Sequence, residues 1–142
     1  MTISRLTTFF PSDLASFDAL MHELSPLSFC DREKLSAAIS DNNSIVLVAV
    51  EDDRIVGTAT LCIAHTPEFT LGFVEAVVVL HEYGGRHIAE SLMAELLKQA
   101  GAAGVQKLHL TSNPLRVAAN ALYQKLGFEK VTTNFYELKI DE

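Results

Sequence analysis

Basic charge and cysteine are scarce in this 142-residue chain, and each shortage excludes something. Lysine and arginine number 11 against 18 aspartate and glutamate, a formal net charge of −7. That balance argues against a domain that grips nucleic acid by its phosphates, which calls for a basic surface. Two cysteines, Cys30 and Cys62, are too few for a disulfide framework or a four-ligand metal site. The spacing of His22, His65, His81, His87 and His109 suggests no metal site either. No apolar run reaches the ~20 residues that a membrane helix needs. The opening residues, Met1 to Leu6, lack the charged start and apolar stretch of a signal peptide. Linkers, repeats and low-complexity stretches are missing too. What is present is 49% apolar and 20% charged residues, enough for a globular core. The expectation is one cytoplasmic domain spanning 1–142, with no metal, nucleic acid or membrane as partner.

Periodicity supplies the elements. Residues 3–9 alternate as a strand does. Pro11-Ser12-Asp13 starts a helix carrying Leu14, Phe17, Met21 and Leu24 at helical spacing, with Pro26 beyond it. Ser28 and Asp31 fit a capping box before Leu35, Ala38 and Ile39. Ile45–Val50 and Ile55–Ile63 read as a hairpin around Glu51-Asp52-Asp53, followed by a loop over 64–70. Phe73–Leu80 contains Val77-Val78-Val79 and reads as a strand buried on both faces. Ile88, Ala89, Leu92, Met93, Leu96, Leu97 and Ala100 form one apolar helical stripe, closed by Gly101 and Gly104. Val105–Thr111 is a further strand. Asn113-Pro114 opens a last helix with Leu115, Ala118, Ala119, Leu122 and Leu126 inward and Gly127 as its stop, and residues 129–140 supply one or two final strands. The order β-α-α-β-β-β-α-β-α-β predicts a mixed α/β (α+β) domain, with about four helices flanking a sheet of six to seven strands.

One junction stands out for chemistry. The strand through Val77, Val78 and Val79 passes through Tyr83-Gly84-Gly85-Arg86 into a helix beginning near His87. Glycines let backbone approach a ligand, and a helix N-terminus favours phosphate. The same pattern also suits a tight turn that binds nothing. Neither G-x-G-x-x-G nor G-x-x-x-x-G-K-[ST] occurs, so a dinucleotide fold and a P-loop are unsupported. Tyr123 lies on the last helix, where a phenol either packs or donates a proton to a leaving group.

Together these residues resemble the GNAT superfamily of acetyl-CoA-dependent N-acetyltransferases. Val74 to Val79, with the following turn and helix, is similar to the family's acetyl-CoA motif. Ala118-Ala119-Asn120-Ala121-Leu122-Tyr123-Gln124-Lys125-Leu126-Gly127-Phe128 is similar to its A-x-x-L-Y-x-K-x-G-F signature. Val56-Gly57-Thr58-Ala59 resembles its hairpin strand. The resemblance implies acetyl-CoA as co-substrate, lying where two parallel strands splay apart, here the strands ending at Leu80 and spanning Val105–Thr111. It implies that Val77, Val78 and Val79 pair with the pantetheine arm and that the turn holding Gly84, Gly85, Arg86, His87, Ile88 and Ala89 cradles the pyrophosphate. Asn113, Arg116 and Asn120 would contact the cofactor from the last helix. Tyr123 would be the general acid, and Glu75 the base that deprotonates a primary amine attacking the thioester directly.

The family's turn reads [QR]-x-x-G-x-[GA]. Here Gly84 stands for the Gln or Arg and His87 for the first Gly, while Ala89 fits. His87 sets its ring where backbone should meet pyrophosphate, although a protonated imidazole would bind phosphate. The implied outcome is weaker or altered cofactor binding. The acceptor would be a small-molecule or peptide amine, with loops 22–33 and 64–70 shaping its pocket, and a homodimer through sheet edges is a family-level expectation. The rival reading is a non-catalytic acyl-CoA-binding or interaction domain on the same fold.

Overall fold

Aliphatic and β-branched runs assemble one sheet of five strands in the computed structural model of the chain, which describes residues 1–141. β1 (Thr2–Arg5), β2 (Ser44–Glu51), β3 (Arg54–His65), β4 (Thr70–Val79) and β5 (Lys107–His109) lie side by side in that order. Every neighbouring pair is antiparallel except β4 and β5, which run parallel. Asp52 and Asp53 close the β2–β3 hairpin with φ of 54° and 59°, the two positive angles that a tight two-residue turn requires and that Asp tolerates.

Two compact units divide the chain, Met1–Thr111 and Ser112 onward. In the first, three helices cover the sheet. α1 (Pro11–Leu24) packs on β3 and β4, α2 (Arg32–Ser40) on β2, and α3 (Ile88–Ala102) on β3. Pro11 starts α1 and the Asp13 carboxylate accepts from Phe10 N–H at 2.8 Å. Asp31 caps α2, accepting from Lys34 N–H at 2.9 Å. Alternation along β3 assigns the faces. A Cβ on Gly57 would meet Leu92 and Ile88 of α3, whereas Thr58 and Thr60 turn toward α1 and α2. Leu20, Leu47, Leu61, Leu92, Met93 and Leu96 are fully buried, each worth roughly 1.5–3 kcal/mol of burial.

In the second unit α4 (Val117–Lys125) ends at Leu126, and Gly127 takes φ 100°, a conformation that suits glycine. Leu115 is 86% exposed and Ala118 is also exposed, so these two do not face inward as their spacing predicts. The final strands predicted over 129–140 are not formed among the described residues. Alternation is present, but a strand also needs a ladder partner, and Val131, Phe135, Tyr136, Leu138 and Ile140 are exposed without one. The sheet therefore has five strands rather than six or seven. The predicted strand over 105–111 shortens to β5, and the predicted 64–70 loop tightens to a turn in which Thr66 Oγ1 donates to Phe69 C=O at 2.7 Å. Of the three valines, Val78 is buried, while Val77 and Val79 are half-buried rather than enclosed on both faces.

Candidate active site

β4 and β5 pair over three residues only. Their register is Leu71 with Lys107, Gly72 with Leu108 and Phe73 with His109, where β5 stops. Gly72 permits this approach, because a Cβ there would lie 2.8 Å from Leu108 Cδ1 and 3.0 Å from Val105 Cγ1. β4 continues from Val74 to Val79 with no strand beside it on that edge among the described residues. Unpaired N–H and C=O groups along an extended edge can take up a strand-like ligand. A bulge bends the same stretch. Thr58 pairs with Val78 and Thr60 with Glu75, so Ala59 faces both Ala76 and Val77. Ala76 takes φ 52°, a left-handed angle that costs about 1 kcal/mol or more for a residue with a Cβ.

The chain then turns into α3. Tyr83 is buried and donates its hydroxyl to Asp52 Oδ2 at 3.0 Å, which, with burial, raises the phenol's pKa above its ordinary value. The Arg86 guanidinium lies 4.8 Å from the centre of the Tyr83 ring and 3.7 Å from the Glu51 carboxylate. Gly85 has φ 74° and His87 has φ 59°. His87 precedes α3 with no side-chain cap, and its exposed ring approaches Glu90 Oε2 at 3.3 Å. An uncapped helix start presents N–H groups and the positive end of the dipole to an anion.

On the α1/α2 face, next to the bulge, lies a cavity of about 160 Å³ whose floor includes Thr60 and Ala76. Glu75 is exposed on that face, directly across from Thr60. Its carboxylate and burial both push the Cys62 thiol pKa up, burial more strongly, so Cys62 stays a neutral thiol.

In the second unit Tyr123 is buried, which pushes its phenol up from the ordinary value, with Arg116 opposing. Its ring meets Phe128 edge-on at 6.0 Å. Asn120 Nδ2 donates to Asn113 C=O and Arg116 C=O, both at 2.9 Å, and Asn113 Oδ1 accepts from Leu115 N–H. These two amides shape the start of α4.

Residues 8–128 match the sequence profile described as the Acetyltransferase (GNAT) family. The chain belongs to that family. GNAT proteins are acetyl-CoA-dependent N-acetyltransferases, and known members resemble the chain along different lengths. Human N-acetyltransferase 8B is 26% identical over 102 residues, which is 70% of this chain and 45% of that protein. The chain thus spans under half the length of this curated relative. A Trypanosoma brucei acetyltransferase superposes with a TM-score of 0.76 at 25% identity, covering 99% of each chain. A protein of Agrobacterium tumefaciens str. C58 reaches 0.84 at 24%, covering 98% of this chain and all of that one. The aminoglycoside N-acetyltransferase AAC(6')-Iy, solved in complex with CoA, shares the fold at 0.76 and 18% identity, covering 97% of this chain and 98% of the other.

Within this GNAT chain, the structure brings together Glu75, the Val77–Val79 edge and the Gly84–Ala89 turn along β4 and into α3. Tyr123, Asn113, Arg116 and Asn120 gather at the start and middle of α4. Sequence reasoning missed the cavity walls. Loop 22–33 contributes Phe29 and Cys30 to them and the 64–70 segment contributes none, while Met21 and Ala38 read simply as core. The left-handed angles at Ala76 and His87 carry no sequence signal, since neither residue is glycine. Among the described residues no cluster of metal-binding side chains forms, and no helix is long and apolar enough to cross a membrane.

Proposed function

We propose that the protein transfers an acetyl group from acetyl-CoA to a primary amine by direct attack, without a covalent enzyme intermediate. The observation carrying this reading is the β4 edge beyond Phe73, unpaired among the described residues, bulged at Ala76 and leading into the start of α3, which has no side-chain cap. These residues fit the co-substrate: an extended edge suits the amide-bearing pantetheine arm, and the turn suits a pyrophosphate. Bound there, acetyl-CoA supplies the activated thioester. Val77, Val78 and Val79 offer backbone groups to the arm. Gly84, Gly85, His87, Ile88 and Ala89 offer turn and helix N–H groups to the phosphates, and Arg86 adds charge once released from Glu51. Family resemblance alone assigns Arg116, Asn113 and Asn120 to the same co-substrate, and Asn120 Nδ2 donates to the C=O of Asn113 and of Arg116.

Glu75 acts as the base for the amine, and its exposure gives it the solvent contact that a water-relayed proton needs. Tyr123 acts as the general acid toward the leaving thiolate. Its phenol carries the proton to be donated at neutral pH, and burial raises its pKa further above the ordinary value. The test is acetylation across a panel of amines, followed by CoA release, alongside calorimetric titration of acetyl-CoA. Turnover supports the reading, and the lack of heat at millimolar cofactor contradicts it.

A second reading, a non-catalytic acyl-CoA-binding domain, draws on the turn itself. Arg86 is tied to Glu51, and His87 occupies a left-handed position that glycine fills at lower cost. Binding without turnover across the panel would favour it.

A further inference from the structure

The cavity beside the bulge has a composition that restricts what can enter it. Phe17 and Met21 of α1, Leu35 and Ala38 of α2, and Val46 and Ala76 of the sheet give it apolar walls. Its polar members are largely committed. Thr58 is buried and donates its hydroxyl to Leu47 C=O at 2.8 Å. Cys30 is held neutral chiefly by burial, with the Asp31 and Asp18 carboxylates adding to the effect. The Lys34 ammonium rests 3.7 Å from the centre of the Phe29 ring, a cation held by an aromatic face. None of the lining residues is a carboxylate.

We infer that the acceptor is a monoamine carrying one compact apolar group, a phenyl ring or a branched alkyl chain, seated in this cavity with its amine toward Glu75. The inference rests on the acetyl-transfer reading above and names the substrate class for that site. Size agrees: a dry cavity of roughly 150 Å³ admits a benzene ring, and this one is about 160 Å³. Position agrees too. Ala76 lines the cavity, and Glu75 precedes it on the strand and faces Thr60 of the cavity floor. A polyamine would bring a second ammonium beside Lys34 with no carboxylate in the wall to receive it, so the two like charges would repel. An aminosugar would bury hydroxyls against aliphatic side chains, leaving their hydrogen bonds unmade.

The experiment compares kcat/KM for 2-phenylethylamine, 3-methylbutylamine, ethylamine, spermidine and kanamycin with saturating acetyl-CoA, and measures binding of 2-phenylethylamine separately by thermal shift. The first two amines are expected to exceed ethylamine and spermidine by about tenfold or more. Preferred turnover of spermidine or kanamycin overturns the inference and leaves acetyl transfer standing. Binding of 2-phenylethylamine without turnover of any amine supports the cavity assignment and overturns acetyl transfer instead. No binding and no turnover of 2-phenylethylamine overturns the assignment. Ala38→Leu, which narrows the cavity, is expected to lower the ratio of 2-phenylethylamine to ethylamine turnover by about tenfold. Met21→Ala, which widens it, is expected to shift preference toward 3-phenylpropylamine. An unmoved ratio in folded samples of both variants places the acceptor elsewhere.

Discussion

Phe73 and His109 form the last register pair between β4 and β5, and their rings meet edge-to-face with centroids 5.8 Å apart. The β4–β5 ladder ends at this pair, so the contact lies where the proposed co-substrate edge of β4 begins. Phe73→Ala is expected to destabilise the fold by about 1 kcal/mol, the usual worth of such an aromatic pair, and to raise the KM for acetyl-CoA. Thermal unfolding and steady-state kinetics check both effects.

Arg86 lies within the Gly84–Ala89 turn proposed for the phosphates, and it pairs with Glu51 at 3.7 Å. Half of its side chain is exposed, so the pair is weak, about 0.2–1 kcal/mol. Glu51→Gln frees the guanidinium and is expected to tighten acetyl-CoA binding by up to about fivefold. Calorimetry reads the change, and weakened binding would contradict the placement of Arg86 at the phosphates.

His87 holds φ 59°, where glycine is comfortable and a residue with a Cβ is not. His87→Gly relieves about 1 kcal/mol of strain, offset in part by the greater freedom of glycine in the unfolded chain. The expected result is equal or slightly higher thermal stability together with tighter acetyl-CoA binding. Unchanged affinity would show that the ring does not obstruct the turn.

Tyr123 is kept protonated by burial, its pKa lying above the ordinary value of about 10. A general acid of this kind is active wherever it holds its proton, so kcat should show no loss assignable to Tyr123 below about pH 10. The same shift fixes the sign for stability. The folded-state pKa exceeds the unfolded one, so the phenol's contribution is fully present below pH ~10 and lost as pH rises through the folded value. A pH–rate profile compared with that of Tyr123→Phe tests the first point.

Much of this was legible in the sequence where one local signal sufficed. The stripe Ile88, Leu92, Met93, Leu96 and Ala100 reads as one helix face, and these five residues are buried in α3. The Asp52-Asp53 hairpin follows from turn chemistry alone. What escaped depends on partners far along the chain. Residues 129–140 alternate as a strand would, yet no ladder forms among the described residues. The bulge at Ala76 arises from a register shift against β3, and the cavity from side chains of α1, α2 and the sheet that share no motif. The Gly84–Ala89 turn came to notice through its glycines and helix start and Tyr123 through its phenol, whereas Glu75 came through family resemblance.

The most direct test is kcat for amine acetylation by Tyr123→Phe beside the unmodified protein, with acetyl-CoA affinity measured on the same samples. Loss of the general acid should lower kcat by roughly 10²-fold or more while leaving cofactor affinity close to its original value. A variant that turns over at the unmodified rate would contradict the proposed mechanism.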